Sequence, residues 1–344
     1  MRFKMGKTLA QIAREIGVST ATISRVLNNE SSVTPETRER VLSELERLNY
    51  HHRPRRRSVA MKNTDTVMII AGQLNNPITL GYIDGIRTRL VEAGIRSVIS
   101  LTDYDSSTER SFIEYAIANS YTGIFILNVV ESEPLISLLE SSPIPAVLVN
   151  RYLRALDTDV VTVDNYRCGY MATQYLLSKG HKRIAHIAGP EGSITCRNRT
   201  LGYIDAIRAA GLDVNHDDIF YGDRKYSSGF EFGKKLLSTP QNCRATAVFA
   251  TTALMAAGMV DVLRENGVRV PEDISVICND DYSKDYMPYP MEITCYRQNP
   301  RLMGQTAADL LLERVQKPNI LPRRVVFPPE LTEKGSVLDV VEKF

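Results

Sequence analysis

Apolar positions follow two different rhythms along this chain. Over the first fifty residues they recur at helical spacing in three short segments: Leu9, Ile12, Ala13 and Ile16, then Ile23, Val26 and Leu27, then Val41, Leu45 and Leu48. Each segment has a start signal. Thr8 and Gln11 form a capping box, Ser19 can cap the second segment, and Thr34 precedes Pro35 and Glu36 at the head of the third. The spacing predicts helices over 8–17, 19–27 and 34–48. Gly17 and Val18 alone separate the first two, which is the tight connection of a helix-turn-helix.

From Thr66 onward short apolar runs at 67–71, 95–101, 123–127, 146–149, 160–163, 184–188, 247–250 and 274–278 alternate with helical patterns such as 80–93, 168–178, 201–210 and 254–265. Alternating β and α predicts parallel sheets with helices on both faces. So many units exceed one comfortable sheet, so the expected fold is an all-α head followed by an α/β core of two doubly wound parallel-sheet subdomains. Ligands in such sheets bind beyond the carboxyl ends of strands, so binding residues belong in the loops after the apolar runs.

The solvent face of the second predicted helix changes the picture. It carries Thr20, Ala21, Thr22, Ser24, Arg25 and Asn28 in place of the Glu/Lys mixture of a merely solvated face. Small side chains let a helix enter the major groove, where Arg and Asn can read guanine and adenine edges. Charge agrees: residues 1–62 hold thirteen Lys/Arg against six Asp/Glu, a net of +7, while the remaining 29 against 34 give −5. Positive charge gathered at one end is arranged to meet a polyanion. Arg53, Arg55, Arg56 and Arg57 extend the patch. A basic run of this kind can be a solvated linker, but directly after a helix-turn-helix it favours phosphate contact.

At 344 residues, with 43% hydrophobic and 24% charged residues, the chain has the make-up of two or three globular domains. No apolar run approaches a membrane span, and the basic start leads into an amphipathic helix, so neither a membrane nor export is expected. Cys168, Cys196, Cys243, Cys278 and Cys295 are scattered without metal-ligand spacing, which points to reduced thiols in a cytoplasmic protein and to no metal or other cofactor. No Ser/His/Asp constellation or phosphate-cradling loop suggests an enzyme, and His181 and His186 are expected to be structural.

Taken together these residues resemble bacterial transcription regulators of the lactose-repressor (LacI/GalR) family over essentially the full length. The resemblance is carried by Gly17, Ser19, Thr22, Ser24, Arg25 and Asn28 in the head, with Asn49 and Tyr50 ending it. Farther on it rests on Asn76-Pro77, Asp164-Asn165, Gly180-His181, Gly189-Pro190, Arg199 with Gly202-Tyr203, Pro271-Glu272-Asp273 and Asp280-Asp281. It implies a head at 1–52, a hinge at 53–63, and a periplasmic-binding-protein-like core joined by three crossovers. One subdomain would comprise 64–164 plus 294–321, and the other 165–293 plus 322–344 with the effector cleft. It also implies a homodimer on a pseudopalindromic double-stranded DNA operator, acting as a repressor under control of a sugar or related metabolite.

Residue by residue, the resemblance assigns DNA contact to Thr8, Ser19, Thr20, Ala21, Thr22, Ser24, Arg25, Asn28, Arg55, Arg56, Arg57 and Val59. It assigns effector contact to Ile78, Asn150, Thr195, Arg199, Thr252, Asp280 and Gln298, with Phe249 as an aromatic wall. A guanidinium, a carboxylate and carboxamides converging at strand ends can bind vicinal hydroxyls, and Arg199 could hold a carboxylate or phosphate. Arg199 and Asp280 could equally serve to bridge the subdomains.

Three departures stand out. Ile78-Thr79 replaces a common aromatic pair, and Thr252-Ala253 replaces an Asn-Asp pair, so a smaller or less hydroxylated effector is expected. In the hinge, Val59 stands where relatives carry a leucine wedge; valine reaches less far, so arginine contacts are expected to carry more of the binding. A solute-binding receptor built on the same core is the competing function, opposed by the attached head.

Overall fold

The computed structural model describes residues 13, 16–27, 33–47, 65–281 and 292–340. It falls into two compact units, 1–61 and 62–344.

In the first unit, helices α1 (Thr20–Leu27) and α2 (Pro35–Arg47) begin where the capping residues predict. The Thr22 amide donates to Ser19 Oγ at 3.0 Å, and the Thr37 amide donates to Thr34 Oγ1 at 3.4 Å, each satisfying an otherwise orphaned donor. Ala13, Ile23, Val26, Val41 and Leu45 form a small buried core, flanked by Ile16, Val18 and Val33. Most of the expected 8–17 helix, including Leu9 and Ile12, lies outside the described residues, as does Leu48.

The second unit holds two six-stranded sheets of matching order. The first contains β1 (Thr66–Ala71), β2 (Arg96–Leu101), β3 (Gly123–Leu127), β4 (Ala146–Val149) and β5 (Asp159–Val163). They run β2-β1-β3-β4-β5, all parallel. The second repeats the arrangement with β6 (Ile184–Ala188), β7 (Ile219–Tyr221), β8 (Ala247–Ala250), β9 (Ser275–Asn279) and β10 (Thr294–Arg297). Helices α3 (Pro77–Glu92), α4 (Ser106–Ala118) and α5 (Glu133–Glu140) cover the first sheet. Helices α6 (Asn165–Ser178), α7 (Ile194–Ala209), α8 (Tyr226–Ser238) and α9 (Ala253–Glu265) cover the second.

The apolar runs are continuous because both faces of each sheet are buried. In β1, Val67, Ile69 and Ala71 face one core, while Met68 and Ile70 face the other. Helix α10 (Pro300–Gln316) returns to the first sheet beside α3, and β11 (Arg324–Phe327) pairs parallel with β5. Strand β12 (Glu330–Thr332) then pairs antiparallel with β10.

This topology corrects two of the expected subdomain boundaries. Thr294–Arg297 belongs to the second sheet, because Cys295 pairs with Cys278 of β9; Arg324–Phe327 belongs to the first, because Val325 pairs with Val161. The chain therefore crosses between lobes at 163–165, 297–300 and 327–330.

Close helix pairing sets the lobe interiors. A Cβ on Gly169 of α6 would lie 1.9 Å from the Arg199 carbonyl of α7, and one on Gly85 of α3 would lie 2.0 Å from the Arg301 carbonyl of α10. No side chain fits at either contact.

Candidate functional site

A cleft of about 460 Å³ opens between the two sheets. Most of the segments lining it follow the carboxyl end of a parallel strand, as the fold requires. Gln73 follows β1, Asp103 and Tyr104 follow β2, Asn128 follows β3, and Asn150 follows β4. From the second lobe come Thr195 and Arg199 on α7, the 223–225 loop after β7, Thr252 after β8, Asp280 after β9 and Gln298 after β10. The backbone marks the same place. Six of the eight described non-glycine residues with positive φ line the cleft: Asp103, Tyr104, Asn128, Asn150, Arg224 and Asp280. Strained backbone of this kind concentrates where a fold holds functional groups.

A connected set of polar groups runs along the floor. Arg199 Nε donates to Asn165 Oδ1 at 2.9 Å, and its Nη1 donates to the Thr251 carbonyl at 2.7 Å while facing Asp280 Oδ2 at 3.8 Å. Gln298 Nε2 donates to Asp280 Oδ1 at 2.7 Å, and Gln298 Oε1 accepts from Tyr82 Oη at 2.7 Å. Asn165 and Gln298 stand at two of the three interlobe crossings, and Tyr82 belongs to the first lobe. Arg199 is 6% exposed and Asp280 8%, so this is a charge pair largely withdrawn from water. Burial pulls the Arg199 pKa down, yet the facing Asp280 carboxylate and neighbouring groups leave it above its ordinary value. Burial also raises the Tyr82 hydroxyl, helped by Asp280, so Tyr82 remains a proton donor to Gln298.

Of the expected effector residues, Ile78, Asn150, Thr195, Arg199, Thr252, Asp280 and Gln298 all line this one cleft. Asn150 donates its side-chain amide to Asn128, and Thr252 also caps α9 by accepting from the Met255 amide at 3.3 Å. Phe249 is the exception. It is fully buried in the second lobe's core, stacked on His186 with centroids 4.6 Å apart, because alternation along β8 turns it away from the strand's end. It is therefore not a wall of the cleft. His186 is held by the Phe249 carbonyl and Thr200 Oγ1, and burial pushes its pKa down to about 4, so it is a neutral core residue. His181 bonds Thr246 Oγ1 and the Leu338 carbonyl.

Sequence reasoning missed Gln73, Asp103, Tyr104, Asn128, Asp223 and Arg224. Their signal was present, since each follows a strand, but several belong to loops whose strands or helices were not resolved from the pattern. Their presence also reverses one expectation. Carboxamides and carboxylates lost at 252–253 are more than replaced from the first lobe, so the cleft is rich in partners for hydroxyl groups.

In the head, Ser19, Thr20 and Thr22 lie at the exposed start of α1 or beside it, with Ser19 Oγ and Thr22 Oγ1 2.8 Å apart. Ala21, Ser24 and Arg25 lie on the same helix, their side chains outside the description. Thr8, Asn28, Arg55, Arg56, Arg57 and Val59 lie outside the described residues, as does the expected hinge. Among the described residues no helix is long and apolar enough to cross a membrane, and no cluster could hold a metal ion.

Comparison with known proteins places these features. The chain matches the family of bacterial regulatory proteins of lacI type over residues 8–52 and a periplasmic binding protein-like domain over 173–337. It is 33% identical over 343 residues to the HTH-type transcriptional regulator CelR of Thermobifida fusca, covering 96% of this chain and 98% of that protein. It is 30% identical over 335 residues to the HTH-type transcriptional repressor PurR of Photobacterium profundum, covering 97% and 99%. Among solved structures, a CelR–cellobiose complex superimposes with a TM-score of 0.73 at 31% identity, covering 96% of this chain and 99% of that one.

Proposed function

Because the chain belongs to the lacI family of bacterial transcription regulators, we propose that its cleft binds a sugar and that Arg199 and Asp280 contact it. The protein is a DNA-binding transcriptional repressor, not an enzyme; it acts in the cytoplasm as a homodimer on an operator under control of a small metabolite. The head over 8–52 separates it from a solute-binding receptor built on the same core.

The observation that carries the proposal is the Asn165–Arg199–Asp280–Gln298–Tyr82 connection, which links the cleft floor to two interlobe crossings. A ligand whose hydroxyls engage Arg199 and Asp280 exchanges bonds at the second-lobe end of a connection that reaches the first lobe through Gln298 and Tyr82. Ligand binding can shift the lobe arrangement only by such differential contacts. The volume suits one or two sugar rings, since it equals about fifteen waters of liquid volume. The strand-end carboxamides offer paired donors and acceptors to vicinal hydroxyls. In the head, Arg25 and Asn28 read base edges, and beyond it Arg55, Arg56 and Arg57 contact phosphate or the minor groove.

Selection of bound duplexes from a random pool by the full chain tests the reading. The expected product is a pseudopalindrome with half-sites about 34 Å apart. Arg25→Ala is expected to cost about 1–3 kcal/mol and relax one base pair, whereas Arg55→Ala weakens all sequences and flattens the salt slope. Recovery of unrelated sequences, or equal losses on selected and random DNA for Arg25→Ala, would contradict it.

A further inference from the structure

The cleft lining carries three cations, Arg199, Arg224 and Lys225, and three carboxylates, Asp103, Asp223 and Asp280, but they do not all pair. Arg199 faces Asp280, Lys225 lies 3.3 Å from Asp223, and Asp103 accepts from Gln73. Arg224 has no carboxylate partner among the described residues; its guanidinium lies over the Tyr104 ring, 5.7 Å from the centroid. Its backbone holds φ +71, an uncommon conformation for arginine, and the residue lines the cleft.

Arg151 is next in the chain to the cleft-lining Asn150. Its Nε and Nη2 are buried and reach no hydrogen-bond acceptor among the described residues. Burial first, and then the like charge of Arg224, push its pKa down to about 10, while Cys196, Tyr104 and Glu109 act in the opposite direction. Glu109 does not neutralise it. Burial raises that carboxyl to about 7, and its Oε1 already accepts from the Val130 amide at 3.3 Å.

Two guanidinium groups, one from each lobe, therefore repel, and two buried N–H donors of Arg151 are idle among the described residues. Unmet buried donors carry a full desolvation penalty, and more so on a charged group. An oxoanion removes both costs at once, because the arginine fork matches its geometry with two parallel charge-assisted bonds. Neutral hydroxyls would meet the donors and leave the repulsion in place.

We propose that Arg151 and Arg224 form an anion subsite between the lobes, taking a phosphate or carboxylate group carried by the effector or a free inorganic oxoanion bound beside it. The inference rests on the cleft being the effector site, and narrows the effector's class. Closing the lobes on the anion brings Arg224 toward Arg151 without net repulsion, so the anion favours the closed arrangement.

Titration calorimetry and thermal unfolding of the full chain with inorganic phosphate, gluconate, glucose-6-phosphate and glucose test it. The expected result is binding of inorganic phosphate, weakened by high salt, and weakened about tenfold to hundredfold in Arg151→Gln and in Arg224→Gln. Tighter binding of glucose-6-phosphate or gluconate than of inorganic phosphate assigns the anion to the effector; the reverse order assigns it to a free ion. Arg224 is half-buried at the rim, so its variant stays informative if Arg151→Gln fails to fold. Absence of binding by every anionic probe, or binding equally strong in Arg224→Gln, overturns the subsite. Operator selection by the unaltered chain reports on the regulator reading separately. Its failure would leave the anion result standing, and a neutral-sugar response with no anion binding would do the converse.

Discussion

Arg199→Met separates the two roles that Arg199 can play, bracing the second lobe's side of the cleft and contacting the effector. Methionine keeps the length and the apolar stem but removes the charge. The structure then leaves Asp280, 8% exposed, with only the Gln298 amide, while Asn165 Oδ1 and the Thr251 carbonyl lose their donors. Breaking a buried charge pair from one side costs about 3–5 kcal/mol, most of it from the uncompensated charge. Adding Asp280→Asn removes that charge and keeps the shape, so the double variant should recover more than half of the loss. Effector response should be absent in both. Urea unfolding followed by circular dichroism gives the stabilities, since the chain has no tryptophan to report by fluorescence. Effector response is read as release or retention of operator DNA. A single-variant loss below about 1 kcal/mol, or a double variant no more stable than the single, would refute the coupling. A double variant that regains both stability and effector response would show that the pair only braces the second lobe.

Two further outcomes follow from local chemistry. Ser19→Ala removes the acceptor of the Thr22 amide at the start of α1, so the head should lose about 0.5–2 kcal/mol, and operator affinity should fall while effector binding is unchanged; a loss of effector binding would contradict the separation of the two units. Glu109 and His186 carry opposing pH effects. Burial raises Glu109 from 4.5 to about 7, so its contribution is fully present below pH 4.5 and is lost as pH rises through 7. Burial lowers His186 from 6.5 to about 4, so its contribution is present above pH 6.5 and is lost as pH falls through 4. Each is worth on the order of 3 kcal/mol, and over the shared window the slopes offset. Glu109→Gln should therefore stabilise the chain at pH 8 and steepen its loss between pH 6.5 and 4. An unchanged profile in denaturant unfolding would show that Glu109 is not held protonated.

The sequence by itself determined whatever depends on neighbours in the chain. Period-3.6 spacing and the caps at Ser19 and Thr34 placed the head helices. Apolar runs located eight of the strands; in all but the edge strand β2 both faces are buried, which requires a strand to be apolar throughout. Charge segregation and the residues of α1 marked the DNA-reading end. The strand-end rule and the family resemblance pointed to seven expected effector residues that line one cleft. Tertiary structure decided whatever depends on partners far away in the chain. Thr294–Arg297 joins the second sheet only because β9 offers a free edge in register, and Arg324–Phe327 joins the first only because β5 does. Phe249 lies within β8, whose two faces are both buried, whereas Asn150 lies one residue past the end of β4 and lines the cleft. Nothing in the sequence around Arg151 sets it apart; its idle donors exist only because the fold buries them, with Arg224, more than seventy residues later, brought against the same region from the opposite lobe. A side chain's type is local, but its desolvation and its partners are set by the packing of the whole chain, and those two quantities give the site its chemistry.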